Sequence, residues 1–308
     1  MKNKKLILAW AIFLGAAAAF VVGVEIYGNF KKERSSGYRY RIPIDGDILP
    51  EQFMEKKEDL IPEKKTEDCR KDFYERTKYG YLPKISRSGA RVFDEYSACS
   101  EITSGKKLRL AVVLSENDAA NPANIDAGLN GQKVTFIVPH HCDRLDEVVK
   151  TVQKGGHEFF LKIPVQFPVS IGQNRTITPF LVNAEAGDTL SKLFRLLAST
   201  KYALGIANVS PTLLTKSAKD MAIIAEALAE RGVAFFDFED SNNLPKEVAE
   251  KTGLIFISAA AVFESDDFDL SKLQDGSVLM IRREHLPNLI KILPADWTLA
   301  PISAAAKR

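Results

Sequence analysis

Carboxylate, imidazole and cationic side chains gather in this chain just after short apolar runs, and they are the groups that could do chemistry. Glu116 follows the run Leu108 to Leu114, and His140 and His141 follow Lys133 to Val138. Lys162 and Gln166 lie at and beyond the end of Glu158 to Ile163; Asp237, Glu239 and Asp240 end Val233 to Phe238. Arg282, Arg283 and His285 come after Ser277 to Ile281. A carboxylate such as Glu116 or Asp237 can take a proton or bind a divalent ion, and an imidazole can do either. Glu116, His140 or His141, and Asp237 carry the donor types of a metal-assisted hydrolase, although nothing in their spacing requires them to meet. His140, His141, Lys162, Gln166 and Asp240 are the candidate binding residues.

Each of these has a plainer reading. Glu116 also reads as a solvated carboxylate in a polar loop, since loops are usually polar. Asp143 reads as a helix N-cap, and Asp237 to Asp240 as capping and loop solvation before Leu244. His157 reads as a structural hydrogen-bonding residue. Lys162 can bind an anionic group, pair with Glu116 or Asp237, or snorkel from an edge position. Arg282 and Arg283 suit a carboxylate or phosphate.

The elements that must position these groups are legible as a repeating pattern. The apolar runs continue with Ala203 to Val209, Leu254 to Val262 and Thr298 to Ile302, and their length and β-branched content predict buried strands. Between them, Leu145, Val148, Val149 and Val152 recur at helical spacing, as do Leu190, Leu193, Leu196 and Leu197. Met221, Ile224, Ala225 and Leu228 repeat the pattern before a stop at Arg231-Gly232, and Leu286, Leu289, Ile290 and Leu293 close the series. Strand and helix alternating in this way predict a parallel sheet with crossover helices, best fitted by a distorted seven-stranded (β/α) barrel. An open doubly wound sheet is the alternative, but no glycine-rich phosphate loop follows the first strand.

Composition narrows the setting. With 308 residues, 45% hydrophobic, the chain can bury a sizeable core. A net charge of +2 with no basic-aromatic stripe argues against a nucleic-acid partner. Lys2, Lys4 and Lys5 precede an uncharged run from Leu6 to Val24, about 19 residues and close to the ~20 that span a bilayer. Residues 1–28 are therefore expected to be a membrane anchor, with a cleaved signal as the alternative. Residues 29–81 are rich in charge and read as a spacer. Residues 82–308 are the expected domain, with an N-terminal arm over 82–107. The expected location is a bacterial inner membrane, crossed once, with the domain on the periplasmic side. Cys69 and Cys99 could pair there, leaving Cys142 free; three unpaired thiols fit as well. Asn174-Arg175-Thr176 is read as a chance sequon.

Several motifs in order resemble the divergent polysaccharide deacetylase family. They are Leu82-Pro83-Lys84-Ile85-Ser86 with Gly89 and Tyr96, then Leu110 to Leu114, Val134 to Pro139, Gly156-His157-Glu158 with Leu161, Ile163 and Pro164, Arg231-Gly232 to Asp237, and Pro301 to Ala304. The resemblance implies a deformed (β/α) barrel related to carbohydrate deacetylases. It also implies a metal held by two histidines four residues apart after the Gly-His-Glu turn, and paired aspartates ending the first strand. Lys162 and Gln166 stand at the histidine positions, and Ser115-Glu116 at the aspartates. A cation and an amide cannot replace two imidazoles. The sequence thus predicts a degenerate barrel with no metal, binding an envelope glycan or protein. The alternative is a deacetylase of N-acetylated polysaccharide with zinc or a similar ion on a rearranged site.

Overall fold

The computed structural model describes residues 72–98, 105–164, 180–238, 243–265 and 268–306. The apolar run Leu6 to Val24, the charged stretch to residue 71, Cys69, Cys99, Gln166, the sequon at 174–176, Glu239 and Asp240 lie outside them. No helix among the described residues is long and apolar enough to cross a membrane.

The described chain begins with a hairpin, β1 (Tyr74–Thr77) and β2 (Gly80–Pro83), paired antiparallel with Tyr74 opposite Pro83. Its aromatics hold it down: Tyr74 Oη accepts from Tyr202 N at 2.6 Å, and the Tyr79 and Phe194 rings pack 5.6 Å apart. The hairpin, at the end of the charged stretch, thus packs on the rest of the described chain. Charge density around these residues hid the three aromatics, Phe73, Tyr74 and Tyr79, that give the hairpin surface to bury.

A short helix α1 (Val92–Tyr96) leads to β3 (Lys106–Val113). Then follow α2 (Glu116–Ala120), β4 (Thr135–Pro139), α3 (Leu145–Lys154), β5 (Glu158–Lys162), α4 (Ala186–Leu197) and β6 (Gly205–Asn208). Next come α5 (Ala218–Glu230), β7 (Ala234–Asp237), α6 (Asn243–Thr252), β8 (Ile255–Ser258) and β9 (Ala261–Phe263). The last elements are β10 (Val278–Arg282), α7 (Leu286–Ile292) and β11 (Trp297–Ala300). All nine strands from β3 onward pair in parallel, in the order β8-β7-β6-β5-β4-β3-β10-β9, with β11 also on β3.

The two ends of that order belong to one run of chain. Ala259 N donates to Asp237 O on β7 at 2.9 Å, and Ala260 N donates to Val278 O on β10 at 2.8 Å. The predicted strand Leu254 to Val262 thus changes partners midway, its first half serving β7 and its second half β10. The sheet curls until its edges come within two residues of each other, which is the distorted (β/α) barrel expected from the sequence.

Alternation sorts the side chains. Ala111, Ile137, Phe160, Ala207, Phe236, Ile257 and Met280 face one interior cluster. Leu110, Val112, Val138, Phe159, Ile206 and Ile281 are buried on the other face, under the helices. Strands buried on both faces read as unbroken apolar runs, which is why they were visible. Gly205 is required by closeness: a Cβ there would land on the Ala234 backbone of the next strand.

The amino end of the barrel is plugged. Phe93 of α1 and Ile302 of the tail both join the interior cluster. Between them lies Glu158, 2% exposed. Its Oε1 accepts from Thr135 Oγ1 at 2.6 Å and Ser303 N at 3.0 Å, and its Oε2 accepts from Ala98 N at 2.9 Å. Thr135 Oγ1 in turn accepts from Ile302 N at 2.8 Å. Burial raises the Glu158 pKa above its ordinary 4.5, against the pull of the Ser303 and Thr135 hydrogen bonds.

Glu158→Ala should cost about 3 kcal/mol or more in urea unfolding, because it strands two backbone N–H donors and opens a hole. Glu158→Gln keeps an acceptor and should lose less. A carboxyl with a raised native pKa stabilises fully below about 4.5 and loses that contribution as pH rises through the native value. Glu158→Gln should therefore flatten the pH dependence above 4.5; an unchanged slope would show that Glu158 does not set it.

Candidate functional site

In a parallel barrel the carboxyl ends of the strands and the loops after them carry the functional groups. On the N-terminal arm, Tyr96 packs against Phe73 and Tyr202, with ring centroids at 6.0 and 4.9 Å.

After β3 the chain turns at once into α2 through a capping box. Ser115 Oγ accepts from Asp118 N at 3.1 Å, and Asp118 Oδ2 accepts from Ser115 N at 2.8 Å. The Ser-x-x-Asp spacing is a helix-start signal, and it puts Glu116 on a helix rather than in a polar loop. It consumes Asp118 and leaves Glu116 projecting from the first turn. Glu116 Oε1 meets His141 Nε2 at 2.8 Å. The pair is solvent-facing, with side-chain exposures of 65% and 28%, so it contributes at most about 1 kcal/mol to stability.

His140 and His141 rings meet edge to face at 5.1 Å. Their environments differ. Burial, with a smaller contribution from the neighbouring His141, pushes His140 down to about 4, and a hydrogen bond to the Lys162 backbone opposes it. His140 is therefore neutral at pH 7 and braces the end of β5, while His141 faces the mouth with Glu116.

Lys162 ends β5, on the face that carries Phe160 and Glu158, with Pro139 and Ala207 beside it in register. Burial lowers its pKa; the Arg282 charge pushes the same way and Glu116 opposes. Arg282 ends β10 beside Val113, on the face that carries Met280. Its guanidinium is 77% exposed and approaches Glu284 at only 3.8 Å. Lys162, Arg282, Glu116 and His141 are thus one electrostatic group at the mouth, two cations about one carboxylate already engaged by an imidazole.

Other candidates sit elsewhere. Asp237 is 1% exposed and accepts from Asn208 Nδ2 at 2.9 Å. Its neighbours Phe236 and Phe238 face the interior, so Asp237 points to the outer face of β7. Arg283 donates to the carbonyls of Ile125, Asn124 and Ala127 at 2.7, 2.9 and 3.1 Å, so it is a structural clasp rather than an anion site. His285 lies 3.6 Å from Glu284. His157 accepts from Val134 N at 3.2 Å, and burial pushes it down to about 4, as the structural reading expects. Asp143 does not cap α3; Arg144 holds that position. Gln166 and Asp240 lie outside the described residues.

Among the described residues no three His, Cys, Asp or Glu side chains are placed to hold one metal ion. Asp237 is turned from Glu116 and His141, and a divalent ion beside that pair would also face Lys162 and Arg282. The described donor set therefore does not fit a resident divalent metal.

Residues 129–274 match the family described as divergent polysaccharide deacetylase, so the resemblance drawn from the strand and turn motifs stands. A comparison with curated proteins returned no match. Among solved structures, ATU2773 from Agrobacterium tumefaciens C58 aligns with a TM-score of 0.63 and 17% identity, over 73% of this chain and 99% of that one. That likeness shows the fold. A T48 deacetylase with substrate aligns at a TM-score of 0.38 and 13% identity, over 64% of this chain and 89% of its own. The peptidoglycan deacetylase PdaC from Bacillus subtilis aligns at 0.34 and 12%, over 65% and 89%.

His140 and His157 have native pKa values near 4, below their ordinary 6.5. Depressed histidines stabilise the fold fully above 6.5, and that contribution is lost as pH falls through 4. Urea midpoints should fall across that window, and less so in His157→Gln. Imidazole NMR signals of His140 titrating near 6.5 would contradict the burial described.

Proposed function

We propose that this chain is a membrane-anchored envelope protein whose deacetylase-like barrel binds a glycan at its mouth without metal-dependent deacetylation. Residues 6–24 are the anchor in a bacterial inner membrane, the charged stretch after them is a spacer, and the barrel is periplasmic. What supports the anchor is the length and charge flanks of the apolar run. What supports a glycan as ligand is the family match over residues 129–274.

One observation carries the loss of the metal reaction. Lys162, standing where the family resemblance implies a metal-binding histidine, has its charge against that of Arg282 at the same mouth. A hydrolytic metal centre polarises an amide carbonyl and activates water, and it needs several anionic or neutral donors around the ion. Two cations oppose it there.

A second reading has one observation in its favour, the 2.8 Å contact of Glu116 and His141. A carboxylate and an imidazole at that distance can share a proton. On this reading the chain is a deacetylase of N-acetylated envelope polysaccharide, with zinc or a similar ion on Glu116, His140 or His141, and Asp237 after rearrangement. A protein partner at the mouth is the remaining outcome.

The test is metal analysis and acetate release on the full chain, purified in detergent without chelator. The expected result is well below one metal ion per chain and no acetate from N-acetylated oligosaccharide. About one tightly held zinc per chain, with acetate release abolished by His140→Ala with His141→Ala, would establish the second reading instead.

A further inference from the structure

We infer that the barrel mouth holds a subsite for an acidic saccharide, with Lys162 and Arg282 gripping its carboxylate or phosphate. The inference deepens the glycan-binding reading and rests on it.

The placement is fixed by register. Lys162 ends β5 and Arg282 ends β10, and only β4 and β3 separate them around the sheet. Adjacent parallel strands lie about 4.8 Å apart, so the two cations flank a gap of three strand spacings, which suits a sugar ring. The floor of that gap is apolar, formed by Pro139 ending β4 and Val113 ending β3. On the far side, half-buried Phe238 packs on the interior cluster and adds a ring edge or face.

Among the described residues these two cations are only loosely paired. Among the described residues no carboxylate forms an ion pair with the half-buried Lys162. Among the described residues Glu116 is the carboxylate whose field reaches Lys162, and its Oε1 is taken by His141 at 2.8 Å. Arg282 adds a second positive charge, and its contact to Glu284 is a loose 3.8 Å. An anion between the two cations relieves their mutual repulsion and gives Lys162 a direct partner. A guanidinium can take a carboxylate or phosphate with two parallel N–H donors, while an ammonium acts as a point charge. The exposed Glu116–His141 pair then offers an acceptor and an imidazole to ring hydroxyls. A neutral sugar would use the floor and the hydroxyl partners but leave both cations as they are.

The test titrates the full chain in detergent with three probes: an oligosaccharide containing glucuronate, glucose 1-phosphate, and a neutral N-acetylglucosamine tetramer. The expected result is that an acidic probe binds more tightly than the neutral one and weakens as salt rises. Lys162→Met and Arg282→Met should each weaken the acidic probe by about tenfold or more, and the neutral probe by much less. Comparing glucuronate with the sugar phosphate decides which anion is preferred. Arg282 is exposed, so its variant keeps the test valid if Lys162→Met fails to fold. Equal binding of acidic and neutral probes, or acidic binding unchanged in both variants, would overturn the subsite and leave the glycan reading standing. No binding of any acidic probe to folded protein would also overturn it. Stoichiometric zinc with acetate release would overturn the glycan-binding reading itself.

Discussion

One buried carboxylate ties this barrel shut at its amino end. Glu158 reaches three parts of the chain that are distant in sequence: Thr135 on the neighbouring strand, Ala98 after the N-terminal arm, and Ser303 in the tail. Burying a carboxylate is costly unless its oxygens are occupied, and here three donors occupy them. The arrangement is specific because removing any one partner leaves a polar group unsatisfied beneath Phe93 and Ile302. The Gly-His-Glu turn does structural work in this chain: Gly156 turns at φ 72°, His157 holds the edge of Val134, and Glu158 closes the floor.

Closing one end decides where ligands meet the other. Parallel strands deliver all their carboxyl ends to one rim, and among the described residues Lys162, Arg282, Glu116 and His141 meet there. The rim is rigidly based, because Phe160 and Met280 sit directly below the two cations in the interior cluster. The ends of β5 and β10 are thus held by packing, while the charged tips are free to respond to a ligand. His140, buried and neutral, adds a brace between the loop after β4 and the end of β5.

The strands were legible because burial on both faces writes them as continuous apolar runs. The helices over α3, α4, α5 and α7 were legible from their spaced leucines and valines. What escaped were elements whose stability comes from few buried groups. α6 buries only Pro245, Val248 and Ala249 along its length, and charges dominate the rest. α2 depends on its capping box, and the β1–β2 hairpin on aromatics embedded in a charged stretch. At the site, residue types showed which groups could do chemistry, but not which side of a strand they face. A shift of one residue reverses that choice, and it separates Asp237, paired with Asn208 on the outer face, from Lys162 on the inner one. The sequence also could not foretell that Arg283 would spend its donors on backbone carbonyls while adjacent Arg282 stays exposed.

The central claim is that the mouth attracts anions where relatives by family resemblance would hold a metal. Anomalous diffraction from crystals soaked separately in selenate and in zinc measures this directly. The account predicts a selenate peak between Lys162 and Arg282 and no fully occupied zinc beside Glu116 and His141. A zinc ion bridging Glu116 and His141 through a third protein ligand, with no anion at Lys162, would contradict it.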